Sequence, residues 1–265
     1  MNASKNFGKP KTRRIKGLSF NKMIPNILTL MALAAGLTSM RLAIQGLWEY
    51  AVFSIVAAAI LDTLDGRVAR LLKGSSKFGA ELDSLSDFVC FGVAPAMILY
   101  LWTMQSFGRS GWVLAMLFSM CCGLRLARFN VALEDEDAPL WKVNFFSGVP
   151  APAGAGLVLL PMILSFQVSE DTFRNPWVVS SFLIIVGGLL VSTLPTYSLK
   201  RIKITTKWIL PTMLSVAGLA IISFSFPWLA LSALLITYLL SFPFGYYAHK
   251  RLDAKPRDLE ESNTE

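Results

Sequence analysis

A chain of 265 residues that is 54% hydrophobic and only 16% charged, with a mean hydropathy of +0.54, departs from soluble domains, which carry about 25% charged residues. That balance excludes an ordinary water-soluble enzyme and predicts a membrane protein. The formal net charge of +8 admits either nucleic acid or an anionic lipid surface as partner, and the placement of the basic residues decides between them.

The segment 1–24 is basic and polar and lacks a short apolar core with a small-residue cleavage site, so it reads as a cytoplasmic or interfacial segment, not a signal peptide. Residues Lys16 to Ile24 are expected to form an interfacial helix. A bilayer-crossing helix needs about 20 mostly apolar residues. Eight stretches approach this, at 25–44, 49–72, 79–102, 111–130, 148–166, 177–195, 208–226 and 228–248. Breaks are expected at Pro25, Gly108 to Gly111, Pro176 and Pro227. The expected fold is therefore all-α: a helical bundle of about eight transmembrane helices occupying 25–248, followed by a charged tail at 249–265.

Of the 25 Lys and Arg residues, 22 fall in the N-terminal tail, the even-to-odd connections and the C-terminal tail. Only Arg41, Arg109 and Arg174 fall on the other side. Cytoplasmic loops carry the excess of positive charge, so both termini are expected inside. Basic residues spread over every loop of one face suit anionic headgroups and exclude a nucleic-acid partner. Cys90, Cys121 and Cys122 lie in apolar stretches without ligand spacing and read as small hydrophobes.

Asp62, Asp65, Glu81, Asp83 and Asp87 lie within or at the ends of expected spans. An ionised carboxylate there costs several kcal/mol by most estimates, so it faces a polar cavity and binds an ion, a proton or a substrate. Asp62, Asp65, Gly66, Ala69 and Arg70 stand at i, i+3, i+4, i+7 and i+8 on one helical stripe. Gly79, Asp83 and Asp87 stand at i, i+4 and i+8 on the next helix, folded back by the turn at Lys73-Gly74-Ser75-Ser76. Four carboxylates presented by two facing helices repel one another unless a cation sits among them. All-oxygen ligands suit Mg²⁺, Mn²⁺ or Ca²⁺, and two such ions would hold a diphosphate. Gly66 and Gly79 fit either close approach of a ligand to the backbone or helix packing. Arg70 fits either a bidentate phosphate clamp or a positive-inside anchor.

The segment from Asp62 through Asp65, Gly66, Ala69, Arg70, Gly79 and Asp83 to Asp87 resembles the signature of the CDP-alcohol phosphatidyltransferase family, with every position filled. Similarity to the phosphatidylserine synthase branch comes from Pro25-Asn26-Ile-Leu-Thr29-Leu, from Gly123-Leu-Arg125-Leu-Ala-Arg128-Phe129-Asn130 and from Phe146-Ser-Gly148-Val-Pro150-Ala-Pro152. These stretches cover roughly residues 25–160. The resemblance implies two divalent ions, Mg²⁺ or Mn²⁺, one around Asp62, Asp65 and Asp83 and the other around Asp62, Asp83 and Asp87. It implies Asp87 as general base, and CDP-diacylglycerol contacts from Pro25, Asn26, Thr29, Gly66, Arg70, Ser76 and Gly79. It also implies a homodimer in a bacterial inner membrane.

The single histidine, His249, is remote from the acidic cluster, so the base is expected to be a carboxylate. No Ser/His/Asp arrangement argues for a covalent intermediate. Serine brings a carboxylate, so its pocket needs a cation; Arg125, Arg128 and Asn130 are the candidates, with helix-end anchoring as their alternative. Glu134 to Asp137 reads as a solvated loop. Glycerol phosphate, inositol phosphate or choline as acceptor remains open. A cation-coupled transporter is the rival class, but it predicts paired broken segments in two halves, and the acidic cluster occurs once.

Overall fold

A computed structural model of the protein describes residues 20–72, 74, 76–134, 146–192, 195–196, 218 and 221–253. Helix α1 (Phe20–Ile44) and α2 (Trp48–Leu71) form an antiparallel hairpin. Its turn is a Schellman motif: Gly46 takes the left-handed conformation at φ 75°, Gly46 N–H donates to Ala43 O, and Leu47 N–H donates to Leu42 O. Helix α1 begins five residues before the expected boundary and carries Pro25 in its second turn. Pro25 therefore sits inside the first helix and does not open it. At the sixth helical position it gives no N–H to the Asn21 carbonyl, a loss confined to the first turns of the helix.

Ser76 caps α3 (Lys77–Asp87) by accepting from the Gly79 N–H at 3.0 Å. A π-turn over Phe88–Val93 joins α3 to α4 (Ala94–Trp102), so Lys77–Trp102 is one continuous rod with a change of register immediately after Asp87. Pro95 supplies the cause, since it has no N–H to give to Phe91 O, and the wider π-turn absorbs the break.

A 3₁₀ turn at Met104–Phe107 and Gly108, at φ 56°, lead into α5 (Arg109–Glu134). The acidic run expected as a loop thus begins with a helical residue, Glu134; Asp135 to Asp137 lie outside the described residues. Helix α6 (Ala151–Ser165), the short α7 (Glu170–Phe173), α8 (Pro176–Val191) and α9 (Pro227–Asp253) complete the bundle. The expectation of an all-helical chain needs one addition. Residues Phe146–Ser147 (β1) and Pro195–Thr196 (β2) form a two-residue antiparallel pair. Gly148, at φ 85°, then turns the chain into α6, and a Cβ there would meet Ser192 O at 2.8 Å. The fifth helix consequently starts at Ala151, not 148.

Seven of the eight expected spans coincide with described helices, while 208–217 and 219–220 of the span 208–226 lie outside the described residues and 218 and 221–225 are helical. Met23–Ile44, Lys77–Trp102 and Arg109–Ala132 are long and apolar enough to cross a membrane, and Ala151–Ser165, Pro176–Val191 and Pro227–Ser241 are shorter apolar helices. Helix α2 has the length but carries Glu49, Asp62, Asp65, Arg67 and Arg70. The 15-residue α6 is about 22 Å long, short of the roughly 30 Å hydrocarbon layer. It is buried from Ala151 to Ile163, so it packs against protein on most sides and need not match the lipid.

Lipid-facing surface is visible as exposed Ile27, Leu30, Leu37, Met120 and Leu124. Trp48, Trp102, Trp112, Trp177 and Trp228 all lie at helix ends on the side that holds Arg41, Arg109 and Arg174, as an interfacial aromatic belt would. Gly111 lets the start of α5 close on the 3₁₀ turn, where an added Cβ would collide with Met104 O. Gly111→Ala is expected to cost about 2 kcal/mol, because a backbone oxygen cannot rotate away. Thermal unfolding in detergent checks this, with Gly188→Ala, whose Cβ meets nothing within 4 Å, as the silent control.

Candidate active site

Helices α2 and α3 run antiparallel around Leu72 to Ser76 and bring the acidic stripes face to face. One carboxylate oxygen each of Asp62, Asp83 and Asp87 lies within 4.8 Å of the others. The Asp62 and Asp87 carboxyls are within hydrogen-bonding reach of each other. Asp65, one turn from Asp62, is 4% exposed and accepts at Oδ2 from the Thr29 hydroxyl at 2.7 Å. The same hydroxyl lies 3.1 Å from Pro25 O, which holds it in place on α1. Thr29 therefore orients a carboxylate and is itself only 4% exposed.

Asp83 Oδ1 is buried and has no hydrogen-bond partner among the described residues. An orphaned anionic oxygen beside two further carboxylates is satisfied by a cation and by little else. Hard oxygen donors at this spacing fit a divalent ion such as Mg²⁺ or Mn²⁺. Among the described residues Asp62, Asp83 and Asp87 are the grouped set, and Asp65 stands beside them, tethered by Thr29.

The other predicted residues divide by environment. Gly66 is exposed, and a Cβ built on it meets nothing within 4 Å, so the helix surface beside the acids is open to a ligand. Arg70, also exposed, donates from Nε to Gly66 O at 3.1 Å and leaves the rest of its fork available. At Gly79 a Cβ would meet Asn26 Oδ1 at 2.9 Å and Ser76 Oγ at 3.2 Å. The glycine thus lets Asn26 of α1 approach the capped start of α3, a packing role beside the open rim at Gly66.

Arg125, Arg128 and Asn130 separate as well. Arg128 is exposed and its Nη1 donates to Val191 O at 2.8 Å, capping the C-terminal end of α8. Asn130 donates from Nδ2 to Ser84 Oγ at 2.9 Å, tying α5 to α3 between Asp83 and Asp87. Arg125 alone of the three interacts electrostatically with Asp87, and its Nε is buried without a hydrogen-bond partner among the described residues.

Sequence reasoning overlooked the π-turn, Ser84 and Ser86. Ser86 Oγ donates to Thr29 O at 3.3 Å, and Cys90 Sγ lies 3.3 Å from Ala32 O, so the residues flanking Asp87 are laced to α1. Pro95 was the available signal for the π-turn; nothing in the spacing marked the serines. Cys90, Cys121 and Cys122 are free thiols in or beside the core, as expected.

A family model described as CDP-alcohol phosphatidyltransferase matches residues 22–194, which includes all four aspartates. The chain belongs to the CDP-alcohol phosphatidyltransferase family. Among its relatives, the CDP-diacylglycerol–serine O-phosphatidyltransferase of Mycobacterium leprae is 37% identical over 250 residues, covering 94% of this chain and 81% of the relative. The protein of the same name from Helicobacter pylori is 35% identical over 218 residues, 82% of this chain and 88% of its own length. One from Methanocaldococcus jannaschii is 40% identical over 141 residues, covering 52% of this chain and 59% of the relative. For this phosphatidyltransferase the hydroxyl of Thr29 is a sensitive point. Thr29→Val is expected to weaken divalent-ion binding by about 10- to 100-fold, since it frees Asp65 to rotate. A Mn²⁺ titration followed by electron paramagnetic resonance measures it, and Thr29→Ser should restore affinity.

Proposed function

We propose that the protein is a CDP-diacylglycerol–serine O-phosphatidyltransferase, converting CDP-diacylglycerol and L-serine to phosphatidylserine and CMP. The observation that carries this reading is the cluster of Asp62, Asp83 and Asp87 with its orphaned Asp83 oxygen, in a chain whose relatives of that name align over most of its length. Asp62, Asp65, Asp83 and Asp87 would hold two divalent ions, Mg²⁺ or Mn²⁺, whose charge neutralises the diphosphate and stabilises the leaving phosphate.

The protein's own groups account for the remaining steps. Gly66 and Arg70 offer an open helix face and a guanidinium to the CDP diphosphate, and Asn26 and Ser76 line the start of α3 nearby. Asp87 takes the proton from the serine hydroxyl as its oxygen attacks the lipid-proximal phosphorus. The new P–O bond forms while the bond to CMP breaks, and CMP leaves with the electron pair. Arg125, which interacts electrostatically with Asp87, would receive the carboxylate of serine in this reading. By sequence, 22 of the 25 Lys and Arg residues fall in the tails and in the connections on the α2–α3 side, which supports a site at the cytoplasmic face of a bacterial inner membrane. There CMP and serine meet water while the acyl chains stay in lipid. The enzyme works as a homodimer in this reading.

Purified protein supplied with CDP-diacylglycerol and Mn²⁺ or Mg²⁺ should release CMP with serine. Glycerol phosphate, inositol phosphate and choline should each be much poorer acceptors. CMP release with glycerol phosphate and none with serine would end the synthase reading. In the same assay Asp87→Asn should lower kcat by about 10²- to 10⁴-fold, the usual worth of a positioned base. Near-wild-type turnover of that variant would reassign the base.

A further inference from the structure

The last third of the chain contains no recognisable motif, yet α9 packs on α6 and carries Tyr238 within electrostatic range of Arg125. Helix α9 starts at Pro227 on the tryptophan-rich side and runs toward the side of the acidic cluster. Leu231, Leu235, Tyr238 and Leu239 form its inward stripe against the core. Gly156 on α6 permits this approach, since a Cβ there would meet Leu235 Cδ2 at 2.7 Å. One turn beyond that contact lies Tyr238, half-buried and within electrostatic range of Arg125. Arg125 interacts electrostatically with both Asp87 and Tyr238, and its Nε is buried without a hydrogen-bond partner among the described residues. A buried guanidinium N–H without an acceptor is costly, and a planar carboxylate is the acceptor its fork fits best.

We infer that Arg125 and Tyr238 together form the subsite that grips the carboxylate of the amino-acid acceptor, with the Tyr238 hydroxyl as a donor that α9 adds. This rests on the serine-transfer reading and goes further, because it locates acceptor choice between α5 and α9. The signature helices α2 and α3 activate the hydroxyl and the diphosphate. The α5–α9 pair selects what carries that hydroxyl.

The test compares serine with serinol, which keeps the amine and hydroxyl but has a hydroxymethyl group in place of the carboxylate. CMP release by purified enzyme with CDP-diacylglycerol and Mn²⁺ is measured over a range of each acceptor. Tyr238→Phe is expected to raise the KM for serine by about tenfold or more, as loss of a hydrogen bond to a charged group does. Its KM for CDP-diacylglycerol, its melting temperature and its kcat/KM for serinol should stay within about twofold of wild type. Arg125→Lys should show the same pattern, and the double variant should be little worse than the poorer single one, because the two residues act as one unit. An unchanged serine KM in Tyr238→Phe would overturn the inference. Parallel losses with serine and serinol would also overturn it, since they mark a role in packing alone. If wild-type enzyme releases CMP with other acceptors and none with serine, the serine-transfer reading fails and takes this subsite with it.

Discussion

Everything in this bundle answers to the mutual repulsion of carboxylates held at the membrane boundary. Unit negative charges a few ångströms apart interact by several kcal/mol at the effective dielectric of a protein surface, and more where water is excluded. Asp62, Asp83 and Asp87 bring their oxygens within 4.8 Å of one another, and Asp65 stands one turn away. Such an arrangement needs a compensating cation or proton, and in the proposed reading a divalent cation would be shared with a diphosphate. The cost of the cluster and its chemistry are two aspects of one electrostatic fact.

Helix α1 is what keeps that cluster in register. It packs along α2, and along α3 and the π-turn, and the ties run through Thr29 to Asp65, Ser86 to Thr29 O and Cys90 to Ala32 O. Each is a short polar contact in an apolar setting, where water cannot compete for donor or acceptor. The π-turn after Asp87 belongs to the same device. By changing register there, the rod can present Asp83 and Asp87 to α2 while Cys90 and Phe91 face the core. Glycines at the crowded points, Gly79 against Asn26 and Gly156 against Leu235, let the flanking helices come close enough for these contacts.

Residue chemistry divides the three acceptor-side candidates in a way that spacing could not. Arg125, Arg128 and Asn130 lie within two turns of α5, yet one interacts electrostatically with Asp87, one caps α8 and one ties α5 to Ser84. Their positions differ by 100° per residue around the helix, so three neighbours in sequence meet three different partners. The two that are already hydrogen-bonded hold the helices that frame the site, while the buried guanidinium of Arg125 retains donor capacity for a ligand.

Sequence by itself determined the membrane setting, most helix spans and the facing of Asp62 and Asp65 toward Asp83 and Asp87. These follow from local rules: apolar length, the 3.6-residue period and a turn short enough to force antiparallel return. Tertiary structure alone decided that Thr29 orients Asp65, that Asp83 carries the orphaned oxygen, and that Gly79 serves Asn26 where Gly66 lies open. It also decided that Tyr238, more than a hundred residues after Arg125, comes within electrostatic range of it. Such pairings depend on how far helices approach and rotate about one another, which is set by packing summed over the whole bundle and is written in no single stretch of residues.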